Sequence, residues 1–171
     1  MTQELIDLRT SILSGRYEDA LAIVDEMEEM SRKSILRNIK NYLIRMLIHL
    51  IKNQIEQRLT NSWAVSIRDS IMEIQDLNIM GNNKSHYVKA DEWDELLELG
   101  FDAAIYKASL EVGNGEYQPV QLLELADKAE ILRRANKFLS LTYAHSADSL
   151  GSAINEELSK LVGGSDWNTV G

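Results

Sequence analysis

Cysteine is absent from the 171 residues. That excludes disulfides, thiolate metal sites and a cysteine nucleophile. Proline occurs once, at Pro119, and the nine glycines fall mostly near apparent element ends or in the C-terminal tail. Interiors free of both breakers favour helix. Alternating Val/Ile/Thr runs are missing, so no strand of consequence is expected. The longest apolar stretch, "YLIRMLIHLI", is broken by Arg45 and His49 and is too short for a bilayer. No membrane span is expected. The first 20 residues carry Glu4 and Asp7 and no apolar core of secretory length. No signal peptide is therefore expected, and the cytoplasm is the expected compartment. Gly-x-x-x-x-Gly-Lys and Gly-x-Ser-x-Gly are both absent, which removes the phosphate loop and the serine-hydrolase elbow. His49, His86 and His145 are far apart and no Glu-x-x-His pair exists, so neither a metal nor a cofactor is expected.

What is present suits a globule. Hydrophobic residues make up 44%, enough for a sizeable core, and charged residues 26%. One domain over 1–162 is expected, with "GGSDWNTVG" (163–171) as a disordered tail. The net charge of −9 hides a pattern. Residues 1–30 carry eight acids against two bases, whereas residues 31–60 carry seven bases against one acid. The basic stretch has two readings. It is a nucleic-acid stripe, or it packs antiparallel to the acidic stretch so that their fields cancel. The second is preferred, and binding to nucleic acid is not expected.

The apolar spacing predicts seven or eight helices around a long central third one. The first spans about Thr2–Leu13, with Leu5, Leu8, Ile12 and Leu13 on one buried stripe. Thr2 is its N-cap and Gly15 its left-handed terminator. The second runs from Tyr17 to Met30 through Ala20, Leu21, Val24 and Met27. Ser31 caps a third, to about Arg58. Leu36, Ile39, Leu43, Met46, Leu47 and Leu50 make one face, and Ile44, Ile48, Ile51 and Ile55 a second. A helix apolar on two faces is buried on two sides. A fourth helix follows from Trp63 to Leu77, then the loop "NIMGNNKSH" and a fifth from Ala90 or Asp91 to Val112. Gly113–Gly115 end it, Pro119 opens a short sixth, and two more cover 128–141 and 147–162.

"SGRYEDALAIVDEM" has the look of a tetratricopeptide turn, but the motif does not return after about 34 residues. Its one echo is "GEYQPVQL", where Gly115 and Tyr117 match Gly15 and Tyr17. The stretch reads as a tight corner, with Tyr17 covering it and Ala20 allowing close helix contact.

Four stretches together resemble a known family. They are "SGRYEDALAIVDEMEEM"; "LIRMLIHLIKNQ", with His49, Leu50 and Lys52; "NSWAVSIRDSI", with Trp63, Ile67 and Arg68; and "FDAAIYKASLEVGNG" before a proline. The chain resembles, over about residues 5–120, the bacterial and largely cyanobacterial helical family called domain of unknown function number 29. The resemblance implies an all-helical fold and no established activity. Many relatives have an aromatic after the lysine, where Asn53 stands here.

Candidate chemistry lies along Asn38, Asn41, Arg45, His49, Lys52 and Glu56, whose steps of three and four share one helix face. His49 would be a general base, Arg45 an anion holder and Glu56 an orienting carboxylate. Arg and His on one helix also resemble the helical endoribonucleases of toxin–antitoxin systems. Those place four to six residues between the two, against three here. Trp63 and Arg68, with Asp69, open the fourth helix and could stack on a base or hold an anion. The alternative for all of them is a polar seam and a packed tryptophan. The preferred expectation is a non-enzymatic interaction or regulatory module whose partner is another protein or a second copy. The competing one is an RNA-binding or RNA-cleaving protein using Arg45, His49 and Lys52.

Overall fold

The computed structural model describes residues 2–81 and 84–169. It is all helical: α1 (Gln3–Leu13), α2 (Tyr17–Glu56), α3 (Asn61–Leu77), α4 (Trp93–Ser109), α5 (Pro119–Leu125), α6 (Lys128–Ala144) and α7 (Ala147–Ser159). Two 3-10 turns, Val112–Gly115 and Ser165–Thr169, complete it. The described residues form no strand beyond one isolated bridge, Ile79 to His86. None of their helices is long and apolar enough to cross a membrane.

The expected second and third helices are one. The helix runs through Ser31 without a turn, so the antiparallel hairpin that would have set acids against bases does not exist. Glu26 to Lys33 contains neither Gly nor Pro. Continuing the helix keeps every i→i−4 bond, whereas a Ser cap satisfies one orphan donor at a new end. The pairs on this stretch are local instead: Lys33 to Glu29 at 4.0 Å, and Arg16 to Asp19 at 3.5 Å.

The chain divides into two compact units, Met1–Asn38 and Ile39–Gly171, and the boundary falls inside α2. In the first unit the corner is as expected. Gly15 takes φ +73°. Its N–H donates to the Ile12 carbonyl and that of Arg16 to the Ser11 carbonyl, the paired bonds of a Schellman motif. Two expectations fail there. Thr2 stands at the N-cap position without a side-chain cap bond, and Tyr17 is exposed rather than covering the corner. The expected buried stripe is also outside. Leu5, Ile12 and Leu13 are exposed, Leu13 by 80% and Leu21 by 64%, and only Ser11 and Ala20 among the described residues of this unit are buried. The periodicity was that of an amphipathic helix, but two helices alone have no third layer to cover their apolar faces.

The second unit has the core. Ile39, Leu43, Met46, Leu47, Leu50 and Ile51 of α2 are buried with Ile67, Ile71 and Ile74 of α3 and Trp93, Leu97, Phe101 and Ala104 of α4. Ile44, Ile48 and Ile55, from the second α2 face, are half-buried. Gly100 lets α4 approach α2, since a Cβ there would lie 3.2 Å from Leu47. Helix α3 packs on α6 and α7, and α4 on α5 and α6. Thr60 caps α3 by accepting from the Trp63 N–H, so the helix begins at Asn61, two residues before the expected Trp63. Pro119 sits in the first turn of α5 as expected. Of the expected tail, Ser165–Thr169 form a 3-10 turn in contact with α7, and Val170 and Gly171 lie outside the described residues. So do Asn82 and Asn83 of the main loop.

Candidate functional site

The polar face of α2 splits in two. Asn38, Asn41 and Arg45 are exposed, whereas His49 and Glu56 are half-buried and Lys52 is only 8% exposed. A buried ammonium needs a partner, because desolvation penalises an unpaired charge by several kcal/mol. Lys52 has one. Its Nζ lies 2.6 Å from Glu111 Oε2, just beyond α4. The same ammonium sits 4.8 Å from the centre of the Trp63 ring, and the Arg58 guanidinium sits 4.8 Å from it too. Trp63 is thus buried and already attended by two cations.

His49 lies one turn before Lys52. Burial pushes its imidazole from 6.5 down to about 4; the Lys52 charge adds to this, Glu111 opposes it, and Arg45 adds slightly. The ring is therefore neutral at pH 7. Its Nδ1 is buried with no hydrogen-bond partner among the described residues. A base with so low a pKa takes up a proton poorly at neutral pH. Glu56 does not orient it. That carboxylate instead accepts from Arg58, at 3.0 and 3.2 Å. The exposed Arg45 donates to Ser66 Oγ of α3 at 3.3 Å. Asn53 is buried and donates to the Arg58 and Val162 carbonyls. Lys52 thus ties α2 to the segment after α4 through Glu111, and Asn53 ties it to the Arg58 and Val162 carbonyls.

The family model described as "Domain of unknown function DUF29" matches residues 16–128. The chain belongs to the DUF29 family. The matched span runs from the corner through α5. It contains the whole Arg45–His49–Lys52–Trp63–Glu111 arrangement, so this geometry belongs to the DUF29 portion of the chain. Helix α1, nearly all of α6, and α7 lie outside it. No curated protein and no solved structure matches the chain.

Arg68 does not join the DUF29 seam. It points toward α7, where its Nη2 would lie 2.6 Å from a Cβ on Gly151. It lines an open pocket of about 370 Å³ with Met72, Asp148, Ser152 and Trp167. Among the described residues no three His, Asp or Glu side chains converge to hold a metal ion. Sequence reasoning missed Glu111 and Arg58. Glu111 is 59 residues from Lys52, and no local pattern announces so distant a carboxylate. It also missed a hydroxyl hub. The Tyr143 Oη accepts from Trp93 Nε1 at 2.7 Å and from Asn78 Nδ2 at 3.1 Å, and donates to the Val88 carbonyl at 2.6 Å. Asn78 also accepts from the Val88 N–H. Burial raises the Tyr143 pKa, which keeps the hydroxyl protonated and able to donate.

Proposed function

We propose that this DUF29 chain is a cytoplasmic, non-enzymatic interaction module whose contact surface is the apolar face of its first unit. One observation carries the reading: the described residues of Met1–Asn38 bury only Ser11 and Ala20 while Leu5, Ile6, Ile12, Leu13, Leu21 and Met30 stay exposed. Exposed aliphatics gathered on a small helical unit mark a protein–protein surface. The pairing of Lys52 with Glu111 and of Glu56 with Arg58 supports a structural role for the seam. The test is a photo-reactive amino acid placed at Leu21 in the full-length chain in living cells. A discrete cross-linked protein adduct is expected, and it should vanish when Ile12→Glu is added. No adduct above that of an exposed control position, Asp102, would remove the reading.

A second reading has its own observation. Arg32, Lys33 and Arg37 are exposed, and no acidic hairpin covers them. They support a single-stranded RNA contact by the charge of the phosphate backbone. We expect it to be negligible at physiological salt, because the chain carries −9 overall. Fluorescence anisotropy with labelled oligonucleotides decides it. Micromolar binding that weakens steeply with salt and is lost in Arg32→Ala with Lys33→Ala, or in Arg37→Ala, would promote this reading over the first.

A further inference from the structure

We propose that the apolar face of Met1–Asn38 is covered by the same unit of a second copy of the chain, paired antiparallel about a two-fold axis near Met30. The inference rests on the interaction reading above and names its partner. The unit is below the size at which a chain closes a stable core unaided, about 40 residues, and the side chains buried among its described residues are the small Ser11 and Ala20. Two such units together supply four helices, enough for each to hide its apolar face against others.

Charge selects the partner and the direction. From Tyr17 to Met30, α2 carries six acids and no base; from Ser31 to Asn38 it carries three bases and no acid. Asp25, Glu26, Glu28 and Glu29 are exposed, as are Arg32, Lys33 and Arg37. The ion pair within this stretch, Lys33 with Glu29, is a loose 4.0 Å contact between exposed groups. A parallel copy would set acid against acid. An antiparallel copy sets each acidic half against the other's basic half, and one point of symmetry satisfies both halves at once. With the axis at Met30, Glu28 lies level with Arg32 of the other copy, and Lys33 lies within a turn of Glu26. Arg37 falls opposite Ile23, within a turn of Glu26, since three residues advance the helix by about 4.5 Å. A partner of uniform charge could match only one half of this helix. A second copy matches both. A standard interface takes about 20–30 residues a side, which a unit of this length can supply.

Sedimentation velocity of the full-length chain, from sub-micromolar to about 100 µM, is the first measurement, with twice the 19.4 kDa chain mass expected. Two charge swaps follow, Glu28→Lys with Glu29→Lys, and Arg32→Glu with Lys33→Glu. Each alone should weaken self-association at least about tenfold, as like charges brought face to face do, with helical circular dichroism retained. An equimolar mixture of the two variants should restore the dimer, because every junction is then opposite in sign. That mixing result cannot come from local effects within one helix, nor from a failure to fold. A purified chain that stays monomeric overturns the proposal, as does a pair of swaps that mixing does not rescue. The Leu21 cross-link separates this from the broader reading. An adduct of the chain with itself supports the second copy. An adduct with a different protein overturns the second copy and leaves the interaction reading standing, and an adduct with RNA overturns both.

Discussion

At the scale of single residues, burial has turned chemically capable groups into fixtures. His49 shows the consequence. Its folded pKa of about 4 lies below the 6.5 of a free imidazole, so the folded chain binds fewer protons than the unfolded one between those values. The stability this represents is complete above about pH 6.5 and is lost as pH falls toward 4. Each tenfold change in proton affinity corresponds to about 1.4 kcal/mol. After allowance for the solvent that screens a half-buried ring, the total is about 2 kcal/mol. Glu130 acts lower down. Hydrogen bonds from Arg133, and then Arg134, hold it at about 2, so its contribution is lost only below 4.5. Urea denaturation between pH 6.5 and 4.5 should therefore report His49, and His49→Gln should flatten the slope there. A slope unchanged in the variant would remove His49 as its source. The identity of His49, Lys52 and Trp63 as candidates was legible from the sequence. The partners that decide their chemistry, Glu111 and Arg58, were not. One comes from a distant segment, and the other follows the end of α2, where Gln57 takes φ 54°.

At the scale of elements, helix existence was legible and the continuity of α2 through Ser31 was not. Gly15, Gly113 and Pro119 punctuate the chain with backbone requirements that only a few residues meet, so the corners around them could be read directly. Ser31 offers a cap, but a cap is a preference of about 1 kcal/mol with no breaker beside it to enforce a stop. Two predictions separate the two kinds of signal. Gly15→Ala forces a side chain into the left-handed region and should destabilise by about 1 kcal/mol, read as a lower thermal midpoint. Nothing lies within 4 Å of the added Cβ, so backbone strain alone would be responsible. Ser31→Ala should keep or slightly raise helical ellipticity, since Ala is the better interior residue. A loss of ellipticity would mean that Ser31 begins a helix after all.

At the scale of the whole molecule, amphipathic spacing says which face of a helix is apolar and not what covers it. Leu43 and Leu47 of α2 met α4 and are buried. The apolar stripe of α1, carried by Leu5, Ile12 and Leu13, stays exposed within its own unit. Core truncation should accordingly be severe in one unit and mild in the other. Leu47→Ala should cost about 2–5 kcal/mol, the range for emptying a buried leucine site. Leu13→Ala should cost less than about 0.5 kcal/mol in the dissociated chain, in keeping with exposed substitutions. Chemical denaturation at low protein concentration compares them, and equal midpoints would contradict the division of burial.

The Tyr143 hydroxyl has a consequence for how the fold can be watched. It holds the indole proton of Trp93, a residue with 1% of its surface exposed, and the same oxygen anchors the loop before α4 through Val88. Lifting of the loop at Val88 exposes that single proton to solvent, so its deuterium exchange should time the opening of the 84–92 segment. Tyr143→Phe removes the indole's acceptor and one of the bonds to Val88, leaving those from Asn78. The indole resonance should then exchange much faster while the backbone amides of α3 and α4 keep their protection, giving the chain a built-in clock for one local motion.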